Sequence, residues 1–496
     1  MTHAMLRKLS RALIALPLLL GACNLGPDYK QPDSPKPEAW QWAPVKENPQ
    51  PVTSEWWKAF NNEELNKLEA MAIANNQDLK AAVARIAQAR ATAKVAGAPL
   101  YPTLSAGGGA VKSKGSDVVG PTGTTVTGGG TSPSTTTYDA ILSTSYELDF
   151  WGKNAAAADA ANQRVVSSIY DRDTVLWTLQ SDVATTYFQV LAARDRLRLA
   201  RNTLAASENI LRFIEAQFRA GTLSPLEVSQ QRSAVAAQRA AIPALVQVER
   251  ESIAALAVLL GVLPQTLKIE EQTLHDTRPP AIEPGLPSTL MERRPDIQKA
   301  ESDLRASNKD IVSAHAARFP SITLTGQGGS QAVQLGMMFG PGSALYSIAA
   351  SITAPIFLGG QLQGQEELTK AQFQELAEVY QKSVISAFRD VEVALSATDT
   401  SSLQYSESKE ALLQAREAYR VAELRYRRGA ADFLSVLNSQ VQVTSSEDAE
   451  VQADLLRFNA VVSLYKALGG GWDKQSSLAK ADDEKKAADA SDDSWW

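Results

Sequence analysis

The chain of 496 residues has one cysteine, Cys23, so no disulfide framework can form within it. Its three histidines, His3, His275 and His315, are scattered along the sequence. Isolated histidines of this kind do not make a ligand set, and no metal site is expected. Lysine and arginine number 49 against 55 aspartates and glutamates, a net charge of −6. The basic footprint of a nucleic-acid-binding protein is therefore missing. No stretch approaches about 18 continuous apolar residues, so no transmembrane helix is available. Neither a Ser/His/Asp nor a Cys/His set stands out, and no enzyme activity is expected. Gly359-Gly360-Gln361-Leu362-Gln363-Gly364 follows a strand pattern and opens a helix, but its glycine spacing is not that of a dinucleotide loop.

What is present begins with an address. Arg7, Lys8 and Arg11 flank the start of a short apolar core from Ala12 to Leu20. Residues 1–22 read as a secretory signal peptide. The segment runs through Leu20-Gly21-Ala22 to Cys23 and resembles a bacterial lipobox. The resemblance implies that Cys23 becomes the first mature residue and carries an N-acyl chain (palmitate) and an S-diacylglycerol group. No other cofactor is expected. Asn24 follows in place of Asp, which in the lipoprotein sorting pattern favours the outer membrane over the inner. Residues 23–61, rich in Pro, Lys and Glu around Trp40 and Trp42, read as an extended arm with little structure of its own.

The longest feature runs from Lys153 to Phe218. Every seventh residue from Ile169 is apolar: Ile169, Leu176, Val183, Val190, Leu197, Leu204, Leu211 and Phe218. Companion positions three residues later, such as Ala193, Ala200 and Ser207, are mostly small. A seven-residue apolar period makes the seam of a left-handed coiled coil, and small residues on it let backbones approach. About 65 residues at about 1.5 Å each predict a helix on the order of 100 Å long. The feature occurs twice. Gly221 closes Glu-Ala-Gln-Phe-Arg-Ala-Gly and Gly429 closes Glu-Leu-Arg-Tyr-Arg-Arg-Gly, a spacing of 208 residues (429 − 221). The same shift turns the heptad into Ala377, Val384, Val391, Thr398, Tyr405, Leu412, Tyr419 and Tyr426. Shared register and shared terminal glycine indicate an internal duplication.

The rest of the chain repeats as well. A helix is predicted from Glu63 to Ala96, and its counterpart opens at Arg294-Pro295-Asp296 and runs to about Ala317. They stop before Tyr101-Pro102 and Phe319-Pro320, 218 residues apart (319 − 101). A β-hairpin follows each. Thr103 to Lys112 leads through a Gly/Ser/Thr-rich loop to Tyr138–Phe150, which alternates apolar and polar residues. In the second half Ser321 to Thr325 forms one strand and Leu345 to Phe357 the other. Gly326, Gly328, Gly329, Gly336, Gly340 and Gly342 are assigned to the loop between them. Return helices are predicted from about Leu226 to Leu260, with Ser224-Pro225 at its start, and from about Phe433 to Leu468, capped by Asp432. Pro243 is expected to kink the first. Residues 62–260 thus form a first repeat, 261–287 a linker, 288–468 a second repeat and 469–496 a charged mobile tail.

Four amphipathic strands cannot close a barrel, for which about eight is the practical minimum. An open sheet cannot sit in lipid with unpaired edges, so the strands of several chains must be pooled. At this point Gly285-Leu286-Pro287-Ser288, followed by Glu292-Arg293-Arg294-Pro295-Asp296-Ile297, becomes informative. So does Ala354-Pro355-Ile356-Phe357 before Gly359-Gly360. With the lipobox and the duplicated plan, these resemble the TolC-like outer membrane factor family, in its OprM- and NodT-like lipoprotein branch. The resemblance implies an α+β membrane protein: a homotrimer whose 12-stranded outer-membrane β-barrel, four strands per chain, continues as a coiled-coil periplasmic tunnel. It implies a passive conduit of a tripartite efflux system, lipid-anchored in the outer membrane and partnered by a periplasmic adaptor and an inner-membrane transporter.

The resemblance also nominates residues at the helical tips. Leu434, Ser435 and Asn438 fall where the family constricts its tunnel, although members often carry Asp at the position of Asn438. Tyr426 and Glu227 match a tyrosine and an acidic partner that latch the closed state, while the family's latch arginine is replaced by Ala431. Tyr426 is also the last heptad position, so seam packing accounts for it equally well. Gly221, Thr222 and Leu223, with Gly429, Ala430 and Ala431, fall where the adaptor docks; a plain helix-capping turn explains the same residues. A coiled-coil lipoprotein without a pore is the competing class, and it has no use for two amphipathic hairpins.

Cys23→Ser removes the only acylation site and leaves the strands and helices unaltered. Palmitate labelling of the wild-type chain, and none of the variant, is the expected result. Membrane anchoring then weakens by about 0.8 kcal/mol for each acyl CH₂ no longer buried.

Overall fold

The computed structural model describes residues 27–34, 37–42, 52–114, 134–282 and 287–492. Cys23, Gly285, Leu286 and the first hairpin's loop lie outside the described residues. The helices are α1 (Glu63–Asn75), α2 (Gln77–Gly97), α3 (Lys153–Arg219), α4 (Pro225–Leu259), α5 (Leu290–Arg293), α6 (Pro295–Ala316), α7 (Gln361–Arg427), α8 (Phe433–Ala467) and α9 (Lys474–Asp492). The strands are β1 (Thr103–Lys114), β2 (Ser134–Leu148), β3 (Ser321–Ala332) and β4 (Ala344–Thr353). α3 and α7 are each 67 residues long, and α4 and α8 are each 35. Both pairs start 208 residues apart (361 − 153 and 433 − 225). Contacts divide the chain into two compact units, one holding residues 88–165 and 302–378, the other 32–87, 166–301 and 379–496.

The first unit contains the sheet, an antiparallel meander in the order β1-β2-β3-β4. Its register is unbroken. Leu104 pairs with Thr144, Ala106 with Leu142, Leu142 with Gly328, Tyr146 with Leu324, and Gly328 with Tyr346. Because side chains alternate across a strand, this pairing collects Leu104, Leu142, Tyr146, Leu324, Tyr346 and Ile348 on one face. Ser105, Ser143, Thr325, Gln327 and Ser347 fall on the other. β3 is longer than the sequence suggests, since Gly326, Gly328 and Gly329 belong to the strand and not to the loop. A Cβ at Gly329 would lie 2.1 Å from the Ala140 carbonyl oxygen. Glycine here marks close backbone approach inside a sheet, a role that looks like a turn signal in one dimension.

The sheet meets its helices through a defined joint. Asp149 accepts from the backbone N–H groups of Asn154 at 3.0 Å and Ala155 at 2.6 Å, capping α3. Trp151 Nε1 donates to the Pro320 carbonyl at 2.7 Å. In the second repeat buried Glu366 accepts from Lys370 and Arg318, each at 2.7 Å. Those two cations hold its carboxyl down at about 2.

In the second unit the middle of the heptad seam is buried, with Val183, Val190, Val384 and Val391 fully enclosed beside small Ala387, whereas Phe218 at its end is 40% exposed. Trp56, Phe60, Phe188, Phe458 and Tyr465 pack at its centre. Trp56–Phe60 is a 3-10 helix in this core, so the extended arm ends earlier than residue 61. The arm itself is not loose where described. Trp40 is buried against Phe388, with ring centroids 6.0 Å apart.

The front helix of the first repeat is two helices, not one. It breaks at Asn76, whose Oδ1 accepts from Leu79 N at 2.9 Å and whose Nδ2 donates to the Leu259 carbonyl. The second repeat breaks at Arg294, 218 residues on (294 − 76). Arg294 is buried, bonds Asp296 at 2.7 Å and Asp390 at 3.3 Å, and lies 5.1 Å from the Trp177 ring centroid. A glycine seals each break. At Gly261 a Cβ would lie 2.4 Å from the Asn75 carbonyl oxygen, and at Gly469 one would lie 2.2 Å from that of Arg293. Pro243 sits within α4, which continues through it.

The residues after Gly471 are not the unstructured tail that their charge suggests. α9 buries Ser477 and Ala481. Trp472 Nε1 donates to Asp173 Oδ2 at 2.8 Å, and the Ser477 hydroxyl bonds the same oxygen. Lys474 reaches Gln298 at 2.6 Å. One buried carboxylate, Asp173, thus fixes a segment whose composition is that of a solvated chain.

Glu69 on α1 is fully buried, and neither carboxyl oxygen has a hydrogen-bond partner. Burial pushes its pKa well above the ordinary 4.5. Below that ordinary value the acid is neutral in folded and unfolded chains alike. As pH rises the unfolded chain ionises first, so folding stability falls toward the raised native value. Glu69→Gln is expected to unfold at the same temperature as wild type near pH 4, and at a higher one at pH 8, in thermal melts of the detergent-solubilised protein.

Candidate functional site

The long helices end in matching turns. Gly221 and Gly429 take φ values of +76° and +70°. Thr222 N donates to the Gln217 carbonyl at 3.1 Å and Ala430 N to that of Arg425 at 2.8 Å. These are the six-to-one bonds of a Schellman turn. A Cβ at either glycine would meet nothing within 4 Å, so the left-handed backbone alone selects glycine there.

Each return helix starts with a cap. Ser224 Oγ accepts from Leu226 N at 3.2 Å, and Glu227 accepts from Ser224 N at 3.1 Å. Ser224 also donates its hydroxyl to Glu227, and these bonds hold the Glu227 carboxyl below its usual range. Asp432 accepts from Ser435 N at 3.0 Å and from Ser435 Oγ at 2.5 Å. Glu227 and Ser435, both nominated for the gate, therefore also serve as cap partners of their own helices.

Under the turns one apolar cluster joins the two hairpins: Ile214 of α3, Val228 of α4, and Phe433 and Val436 of α8. Tyr426 of α7 packs on it, 5.6 Å from the Phe433 ring. The Tyr426 hydroxyl is buried with no hydrogen-bond partner. Burial first, and the charge of Glu227 second, push its pKa up. A polar layer lies behind. Gln440 donates to the Ser207 hydroxyl and Gln231 donates to the Ser207 carbonyl at 2.9 Å. Ion pairs brace the flanks, Arg196–Asp448 at 2.5 Å and Arg416–Glu447 at 2.8 Å.

The nominated residues separate into those the fold uses and those it leaves free. Leu434 is 46% exposed, and Asn438, one turn later on α8, is exposed with it. Gly221, Thr222, Gly429 and Ala430 are exposed, whereas Leu223 and Ala431 are half-buried. Sequence reasoning missed Arg425. It lines a groove of about 680 Å³ together with Asp432 and the nominated gate residue Ser435. Its one signal was the run Arg-Tyr-Arg-Arg before Gly429. The described residues hold no group of three or more His, Cys, Asp or Glu suited to a metal ion. No described helix is long and apolar enough to cross a membrane.

This architecture has known counterparts. The sequence profile described as "outer membrane efflux protein" matches residues 68–262 and 286–470. The chain belongs to that family. It is 40% identical over 472 residues to the pyoverdine export outer membrane protein OpmQ of Pseudomonas aeruginosa, covering 95% of this chain and 99% of the relative. It is 32% identical over 475 residues to the toluene efflux pump outer membrane protein TtgF of Pseudomonas putida, covering 94% and 97%. Among solved structures, the outer-membrane channel OprN superimposes with a TM-score of 0.84 at 27% identity, covering 91% of this chain and all of that one. The chain is an outer-membrane channel component of an efflux system, and its family consists of channel proteins, not enzymes.

Tyr426→Phe keeps the ring packing and removes a buried hydroxyl that has no partner in the chain. The hairpin is expected to be unchanged or more stable by up to about 1 kcal/mol, read as the unfolding midpoint in denaturant. A drop of more than about 1 kcal/mol would mean that the hydroxyl has a partner in the assembled protein.

Proposed function

We propose that three copies of the chain form one channel, gated at the helical tips. The observation that carries this reading is the strand register. It gathers the apolar side chains on one face and, among the described residues, leaves β1 and β4 each paired on one side only. Lipid cannot satisfy the free backbone groups of those edges. In a four-stranded meander the first and last strands run in opposite directions, so β4 of one copy can continue the antiparallel ladder with β1 of the next. Two copies would give a barrel of about eight strands, whose interior side chains fill; three give about twelve and leave a lumen.

On this reading the 67-residue helices α3 and α7, with α4 and α8, continue the barrel as a periplasmic tunnel. The matched element lengths are the trace of an internal duplication. Cys23 is acylated and anchors the arm in the outer membrane. The turns at Gly221 and Gly429 dock a periplasmic adaptor, which links the channel to an inner-membrane transporter that supplies the energy. Leu434 forms an apolar ring at the aperture and Asn438 a neutral polar one, flanked by Ser435. Tyr426 packs behind that position on the seam and Glu227 caps its own helix, and with Ala431 in place of the family's latch arginine the full latch is not carried over.

Single-channel recording in planar bilayers tests the gate. Leu434→Ala is expected to raise conductance without loss of assembly, because the side chain is already half exposed and contributes little to the core. Asn438→Asp is expected to shift the reversal potential toward cation preference, since carboxylates in a narrow aperture focus a negative field. Unchanged conductance in the first and unchanged selectivity in the second would move the constriction away from α8.

A further inference from the structure

The connection between β3 and β4 lies at the end of the sheet opposite the joint with the helices. Residues 331–343 contain no charged side chain. Val333, Leu335, Met337 and Phe339 stand out from it, Phe339 at 88% exposure. The segment is folded. Leu335–Met337 is a 3-10 turn, Gly340 N donates to the Met337 carbonyl at 2.9 Å, and Ser343 N donates to the Gly340 carbonyl at 3.3 Å. The Ser330 hydroxyl donates to the Met338 carbonyl. Ser330 pairs with Ala140 and Ala344, in the same alternating set as Leu142, Gly328 and Tyr346. The loop is therefore tied to the apolar face of the sheet, and its apolar side chains continue a surface on which Tyr346 and Ile348 are almost fully exposed.

We propose that this loop is a membrane-interface element, with Leu335, Met337 and Phe339 seated at the acyl–headgroup boundary of the outer leaflet. The proposal rests on the reading that the apolar sheet face meets lipid. A contiguous exposed apolar patch marks a contact surface. The absence of charge across the loop suits acyl chains, where one charged group would be costly. An aromatic side chain at its tip suits the interface. A loop folded across the channel mouth would instead be tied to the lumenal row of Gln327, Gly329 and Gln331.

Site-specific fluorescence in proteoliposomes of the assembled protein tests this. Gly336→Cys places a bimane label where an added Cβ meets nothing within 4 Å, and Ile348→Cys labels the wall itself. Wild-type protein, with Cys23 as its only cysteine, is the labelling blank. The vesicles carry phospholipid brominated close to the headgroup, and iodide is the aqueous quencher. The label at 336 is expected to lose most of its emission to brominated lipid and little to iodide, with bromine quenching at 348 as well. Bromine quenching at 348 but not at 336 overturns the loop proposal and leaves the lipid-facing wall standing. Bromine quenching at neither position overturns both. Iodide quenching of 336 that exceeds its bromine quenching places the loop in water and overturns the proposal.

Discussion

One constraint governs the proposed assembly: a β-sheet cannot end in lipid. Backbone N–H and C=O groups on an open edge have no water to bond there, and each costs several kcal/mol. Among the described residues the sheet is an unbroken meander from β1 to β4, with β1 and β4 each paired on one side. In the proposed trimer, pooling strands between copies answers that constraint. Gly329 of β3 lets neighbouring backbones approach where a side chain would collide with the Ala140 carbonyl.

The helices obey a different rule. A seam repeated every seven residues, with alanine and serine at the companion positions, brings long helices close without deep interdigitation. Ser207, Gln231 and Gln440 interrupt the apolar seam near the tip with a bonded polar layer. Beyond that layer the tip holds its own apolar cluster together with exposed side chains. Leu434 and Asn438 are outside its core, while Phe433 and Val436 on the same turns of the helix are inside it.

The two repeats share a backbone and differ in chemistry. Asn76 and Arg294 occupy the same break. The first is a neutral cap, and the second is a guanidinium held by Asp296 and Asp390 over the Trp177 ring. The Arg-Arg-Pro-Asp-Ile run is therefore a structural joint. Glu366, with its three basic neighbours, has Ala158 in its place in the first repeat (366 − 208).

The sequence by itself determined the period, length and pairing of the long helices, the turns at Gly221 and Gly429, the caps Ser224 and Asp432, and the existence of two hairpins. These follow from local rules: a seven-residue repeat, a left-handed glycine, a side chain bonding its own backbone. Tertiary structure alone decided the rest. Gly326, Gly328 and Gly329 are strand because a partner strand supplies the bonds that their low propensity does not. The helix predicted across residues 63–96 breaks because Asn76 finds a cap site and the Leu259 carbonyl, 183 residues away in sequence. The charged segment after Gly471 folds because Asp173 bonds Trp472 and Ser477 and because Ala481 is buried. Glu227 and Ser435 are committed to caps, and Arg425 shares the tip groove with Ser435, because side-chain surroundings depend on which helices meet, and that is not written in any one of them.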